Sequence, residues 1–363
     1  MTSYIAGTAP TEYGLLSQLL AGSTAVRRHL TRLTEQAGSG RIADTYAGLG
    51  NGASISLDLR PQVTALQTQQ KNIDAATTRL GVTQTAMTQL QQIASSFLAN
   101  LNNLNGLNPS AVDSVAADAR SALSQAASLL DTRDGNVYVF AGQDGENPPV
   151  PNPDTIASSG FATQIAAAVA GLTTSGAAAT AAATLAIASS NAPGTSPFSA
   201  YLSQPAGALQ VPALQTGSTQ IQQVGLVASA NTSVASTGPS TTGSYTRDLM
   251  RALATLGSLS STQINDPNFA ALIQDTRASL TGAVGAMAAD AGVLGNTQAA
   301  LKAAQTGLSN TQTTLITQVG SAEDVDMAAT LSNLTLTQTQ LQASYQLIAS
   351  LGSLSLAKYL PGG

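Results

Sequence analysis

The sequence predicts a mainly α protein. Its N- and C-terminal regions form an elongated antiparallel helical bundle or coiled coil, and a small mixed α/β or β-rich domain lies outside it at the centre of the chain. Three observations predict this. Apolar residues recur in steps of three and four along both ends of the 363-residue chain. The stretch between them, Thr155 to Thr246, contains no charged residue. With 0 Cys, 0 Trp and 4% aromatic residues, the core must be built from Ala, Leu, Val and Ile. Three regions follow: residues 1–134, 135–245 and 246–363.

The first helix is predicted from Thr11 or Glu12 to Ala37, with a seam of Leu16, Leu19, Ser23, Val26, Leu30, Leu33 and Ala37. The glycines of "GSGRIADTYAGLGNGAS" (38–54) then impose an ordered loop. A longer helix carries Leu59, Val63, Leu66, Gln70, Ile73, Thr77, Leu80, Gln84 and Met87. Its register slips near Leu90 and resumes at Ala94, Phe97, Leu101 and Leu104, and "NNLNGLNPS" ends it. A third helix runs from Val112 to Leu129, with Ser110 and Asp113 spaced as a capping box. Val137 to Phe140 favours a strand.

In the uncharged middle, Phe161 to Leu172 and the Ala-rich run to Ala188 read as helical, and "GSTQIQQVGLVASA" alternates as a strand does. The alternative for this stretch is disorder, which low charge and abundant Ala argue against. Helices return at "YTRDLMRALATLG" and "DPNFAALIQDTRASL". A regular seam from Leu280 to Val319 follows, then a Ser321–Asp324 capping box. A final helix, from about Ala322 to Tyr359, carries Met327, Leu331, Leu334, Gln338, Leu341, Tyr345 and Ile348, with Leu354 beyond. It has no Asp, Glu, Lys or Arg between Met327 and Ala357. The seam glutamines 70, 84, 298, 305, 312 and 338 admit two readings: side chains reaching solvent, or polar interruptions that set register.

Composition excludes several functions. The chain has 14 basic and 19 acidic residues, a net charge of -5 and only 9% charged residues, so no basic patch is present to neutralise nucleic-acid phosphates. His29 is the single histidine, so no metal, cofactor or catalytic triad site is indicated, and an enzyme is not expected. "GLGNG" lacks the Lys-Ser/Thr of a phosphate loop, and Glu323, Asp324 and Asp326 read as acids at a helix start. No membrane-inserted segment is read from the sequence, and "MTSYIAGTAPTEYG" does not read as a cleavable secretory signal.

"LTRLTEQAGSGRIAD" with "QQKNIDAATTRLGVTQTAM", and "SAEDVDMAATLSNLTLTQTQLQASYQLIASLGSLSLAKYL", resemble the two terminal regions of the bacterial flagellin family. "TRDGNVYVFAGQDGENPPV" and the ending "LSLAKYL" are more similar to the family's hook–filament junction protein than to a filament subunit. The start "MTSYIAGTAPTEYG" and the loop after the first helix depart from the family pattern.

The resemblance implies a structural, extracellular subunit of the bacterial flagellum. It would be exported through the type III apparatus with a chaperone, and its terminal helices would order only on assembly. Its partners would be itself, hook-associated proteins and flagellin. On that reading the assembly face holds Leu16, Leu19, Val26, Leu30, Leu33, Leu331, Leu334, Leu341, Tyr345, Ile348 and Leu354. The alternative is a secreted coiled-coil adhesin or a type III translocator; a translocator would carry a longer apolar hairpin.

Overall fold

The computed structural model describes residues 12–101, 104, 108–216, 221–231, 235–238 and 240–357, with the side chains of 12–16 and 351–357 outside that description. Most of these residues are helical. The helices are α1 (Glu12–Ser39), α2 (Gly52–Asn100), α3 (Pro109–Leu130), α4 (Gly160–Ala170), α5 (Leu172–Ser175), α6 (Ala177–Ser189), α7 (Tyr245–Gly257), α8 (Phe269–Glu323) and α9 (Met327–Ala357). Contacts divide the chain into one unit of residues 1–67 and 310–363 and a second of residues 68–309. The division falls within α2 and within α8, and residues 135–245 lie in the second unit.

In the second unit the predicted seams become core. Ile73, Leu80, Met87, Leu90, Phe97 and Leu101 from the α2 stretch are buried, as are Leu280, Met287, Leu294 and Leu301 of α8. The slip at Leu90 keeps the stripe inward past Ala94. α3 packs on α7, α4 packs on α6 and α7, and α6 also packs on α7. Helix starts are fixed by caps: Asn108 before Pro109 at α3, Ser159 at α4 and Ser244 at α7. The expected Ser110–Asp113 box is therefore not the cap of α3. Asn108 Oδ1 accepts from the Ser110 N–H, and Asp113 accepts instead from Ser261 N–H at 2.9 Å. Asn108 precedes Pro109, which is already helical, and its amide oxygen reaches back over the free N–H groups of the first turn.

Strands are short. Among the described residues there are two antiparallel pairs, β1 (Arg133–Asp134) with β2 (Val137–Tyr138), and β3 (Ala213–Gln215) with β4 (Ile221–Gln223). Gly135, at φ +59, supplies the left-handed turn of the first hairpin. The predicted strand over Val137–Phe140 is realised only at its first two residues. Val139, Phe140 and Ala141 leave the ladder for the core.

α7 is buried at every position, including Arg247, Asp248 and Arg251. The two guanidinium groups replace lost water with loop acceptors. Arg247 Nε donates to Ser229 C=O at 3.0 Å, Nη1 to Ala188 C=O at 2.9 Å and Nη2 to Asn191 Oδ1 at 2.6 Å. Arg251 Nη2 donates to Ser240 C=O at 2.8 Å and to Asp275 of α8 at 3.2 Å, while Nη1 reaches Ala181 and Thr184 of α6. Burial lowers both guanidinium pKa values, opposed at Arg251 by Asp275. These side chains tie α6, α8 and two irregular segments to one helix and satisfy carbonyls, such as those of Ser229 and Ser240, that lie outside any helix or strand ladder.

α8 contains an 18-residue window of mean hydropathy 1.2, long and apolar enough to cross a membrane, which the sequence reading did not anticipate. Its Leu280, Ala283, Met287 and Leu294 lie in the core, and its buried Asp290 accepts from the Tyr245 hydroxyl. Core packing therefore covers part of that window, of which 39% is buried.

Arg251→Met keeps the volume but leaves Asp275 and the α6 carbonyls unpaired. We expect a loss of about 3–5 kcal/mol in the unfolding free energy, read as a lower denaturant midpoint in circular dichroism.

Candidate assembly face of the terminal helices

In the first unit α1 packs against α9. The direction is antiparallel: Arg27 Nη2 donates to the Tyr345 hydroxyl at 2.6 Å, while Val325 N–H, just before α9, donates to Gly40 C=O just after α1. The less exposed positions of α1 are Leu19, Ser23, Val26, Leu30, Leu33 and Ala37, the predicted seam. On α9 they are Thr330, Leu334, Thr337, Leu341, Ser344 and Ile348, again in steps of four and three.

The expected α9 seam was half right. Leu334, Leu341 and Ile348 are shared, but the less exposed companions are Thr330, Thr337 and Ser344 rather than Met327, Leu331 and Gln338, while Tyr345 reaches α1 only through its hydroxyl. The physical reason is size. Small hydroxyl side chains on one flank let the α1 backbone approach, and the larger apolar flank is left outward.

That outward flank is the notable chemistry of the unit. Met327 is 41% exposed, Leu331 50% and Tyr345 41%, and on the far side of α9 Leu336 is 68% and Leu347 56% exposed. Leu20 of α1 is also exposed. A helix with apolar residues on all faces is normally buried all round, and α1 covers one stripe only. Of the residues expected at an assembly face, Leu19, Val26, Leu30, Leu33, Leu334, Leu341 and Ile348 join the α1–α9 contact, Tyr345 lies at its edge with its hydroxyl accepting from Arg27, and Leu331 is exposed outside it. The Leu16 and Leu354 side chains lie outside the described residues. Leu336 and Leu347 escaped the sequence reading because they fall on neither heptad stripe.

A polar clamp fixes the end of this helix pair. Glu323, 5% exposed, closes α8. Its carboxylate accepts from Ser56 Oγ and from Arg60 through Nε, at 2.6 Å, and Nη2, both partners being on the first turns of α2. Its carbonyl accepts from Ile42 N–H at 2.7 Å. At the same place a Cβ on Gly52 would lie 2.6 Å from the Ala322 carbonyl, so this approach requires glycine. The expected Ser321–Asp324 capping box is absent: Ser321 sits inside α8 bonding Thr317 C=O, and Asp326 caps α9 by accepting from Ala328 and Ala329 N–H. α8 simply persists past the expected start because Glu323 is more useful bonded to α2 than at a first turn.

His29 is exposed on α1 and pairs with Arg32. Among the described residues no cluster of His, Asp and Glu is arranged to hold a metal.

Arg60, then Ser56, hold the Glu323 pKa down from 4.5 to about 2. A depressed carboxylate pKa adds stability above the unfolded value and loses it as pH falls through the folded one. We expect thermal unfolding of the first unit to be flat from neutral pH to about 4.5 and to fall progressively toward about 2. Glu323→Gln removes this part of the acid dependence, measured by circular dichroism melts across that range.

Residues 278–360 match the model of the bacterial flagellin C-terminal helical region, which takes in most of α8 and all of α9. No curated protein matches the chain. Over those residues the chain is similar to the C-terminal helical region of bacterial flagellin.

Proposed function

We propose that the chain is a structural subunit of the bacterial flagellum that polymerises through α1 and α9 and serves swimming motility. The observation that carries this reading is the outward apolar surface of α9, which the partner helix within the chain does not cover. Each buried methylene contributes about 0.8 kcal/mol, so a row of Leu, Met and Tyr anchors is enough to drive association. Leu16, Leu19, Val26, Leu30, Leu33, Leu331, Leu334, Leu341, Tyr345, Ile348 and Leu354 form the assembly region. Part of it builds the α1–α9 pair and part meets neighbouring subunits. Head-to-tail contacts of this kind do not close, so subunits add along an axis.

Within that role, the stretches "TRDGNVYVFAGQDGENPPV" and "LSLAKYL" favour the hook–filament junction over the filament. On this reading the subunit is exported by the type III route with a chaperone and functions outside the cell, its neighbours being hook-associated proteins and flagellin. Residues 135–245 form the outer, sequence-variable part, between terminal regions 1–134 and 246–363.

The double variant Leu331→Glu, Leu347→Glu leaves the α1–α9 seam in place but puts carboxylates on the exposed faces of α9. Its critical concentration for polymerisation should rise by at least about a hundredfold, from roughly 3 kcal/mol per buried charge, with a monomer far-UV spectrum like the parent's. Normal sedimentation of polymer from this variant refutes the assembly role. Immunogold labelling of sheared flagella should find a few copies at the hook tip; label along the whole shaft identifies a filament subunit instead.

A further inference from the structure

A cavity of about 430 Å³ opens in the second unit where the end of α6, residues 204–209, residues 229–231 and the first turn of α7 meet. That volume is in the range of small-molecule sites. Asn191, Gln204, Ser229, Asn231, Ser244 and Arg247 give it a polar lining.

Two of these groups are unusual. Arg247 is 8% exposed, and no described carboxylate lies within ion-pairing distance of it. Its acceptors are the carbonyls of Ala188, Ser190 and Ser229 and the Asn191 amide, all neutral. They satisfy its hydrogens but form no ion pair; the charge is met only by the Phe198 ring, 5.1 Å from the guanidinium carbon, and by the field of the neighbouring Asp248. Arg251, one turn further along, does have its carboxylate in Asp275. Ser229 is 5% exposed and its hydroxyl has no hydrogen-bond partner, although its carbonyl touches Arg247. A buried hydroxyl left unmatched beside a cation that has no ion-pair partner is costly in an empty site and useful in a filled one.

We propose that this cavity binds a small hydroxylated carboxylate of the uronic-acid class, its carboxylate meeting Arg247 and its hydroxyls meeting Ser229, Gln204 and Asn191. A simple anion such as acetate does not fill the volume, and an apolar ligand leaves the amides and hydroxyls unpaired. One buried positive charge matches one carboxylate.

The test is isothermal titration of the full chain with D-glucuronate, D-glucose and acetate at neutral pH. Glucuronate should bind, with glucose and acetate each weaker by roughly tenfold or more, the loss of a charge-assisted contact or of the hydroxyl contacts. Ser229→Ala should weaken glucuronate by roughly fivefold without lowering the melting temperature, since the lost hydroxyl has no partner in the folded chain. Gln204→Leu, which replaces the amide with an apolar side chain of similar size, should weaken glucuronate by roughly fivefold. Arg247→Met also removes four hydrogen bonds, so the two milder variants decide the matter. No heat with glucuronate up to about 10 mM, equal binding of acetate and glucuronate, or unchanged affinity in both Ser229→Ala and Gln204→Leu overturns the proposal.

Discussion

Two helices lying side by side share one face, and that constraint governs the first unit. α1 offers α9 a single stripe, and α9 has apolar residues on three sides. The interaction between them therefore uses only the flank where Thr330, Thr337 and Ser344 allow close approach. What is left over, from Met327 and Leu331 round to Leu336 and Leu347, is surface whose burial requires other helices. The Glu323 clamp matters because it fixes the starting point of α9 relative to α1 and α2, and so decides which flank is spent within the chain and which is offered outward.

The second unit meets a different difficulty. A chain with few charged residues and a long stretch of Ala, Ser, Thr and Gly has many backbone carbonyls in irregular segments and few side chains to satisfy them. α7 answers this from the inside. Arg247 and Arg251 act as branched donors that collect carbonyls from α6, from residues 229 and 240, and from the segment after Ser189. The uncharged middle of the chain is ordered by charge supplied from the helix that follows it.

This division of labour explains what could be read from the sequence. The period of Leu19 to Ala37 and of Leu280 to Val319 is a local property, so those helices and their inward stripes were legible. The choice between Leu331 and Thr330 as the partner of α1 was not, because hydrophobicity ranks residues by what they gain from burial and says nothing of how closely two backbones can approach. Glu323 looked like a first-turn acid, since its partner Arg60 lies 263 residues away. "YTRDLMRALATLG" was legible as a helix but its complete burial was not, since its arginines pair mostly with backbone carbonyls, which carry no sequence signal. The same blindness hid the cavity beside Arg247.

The absence of Asp, Glu, Lys and Arg from Met327 to Ala357 has a thermodynamic consequence. Contacts made by such a surface contain almost no Coulomb component for dissolved ions to screen. They are held by the expulsion of water from apolar groups, which weakens on cooling and strengthens with excluded salts such as sulfate. A joint built from this helix is thus indifferent to the difference between fresh and brackish water, and its adversary is cold.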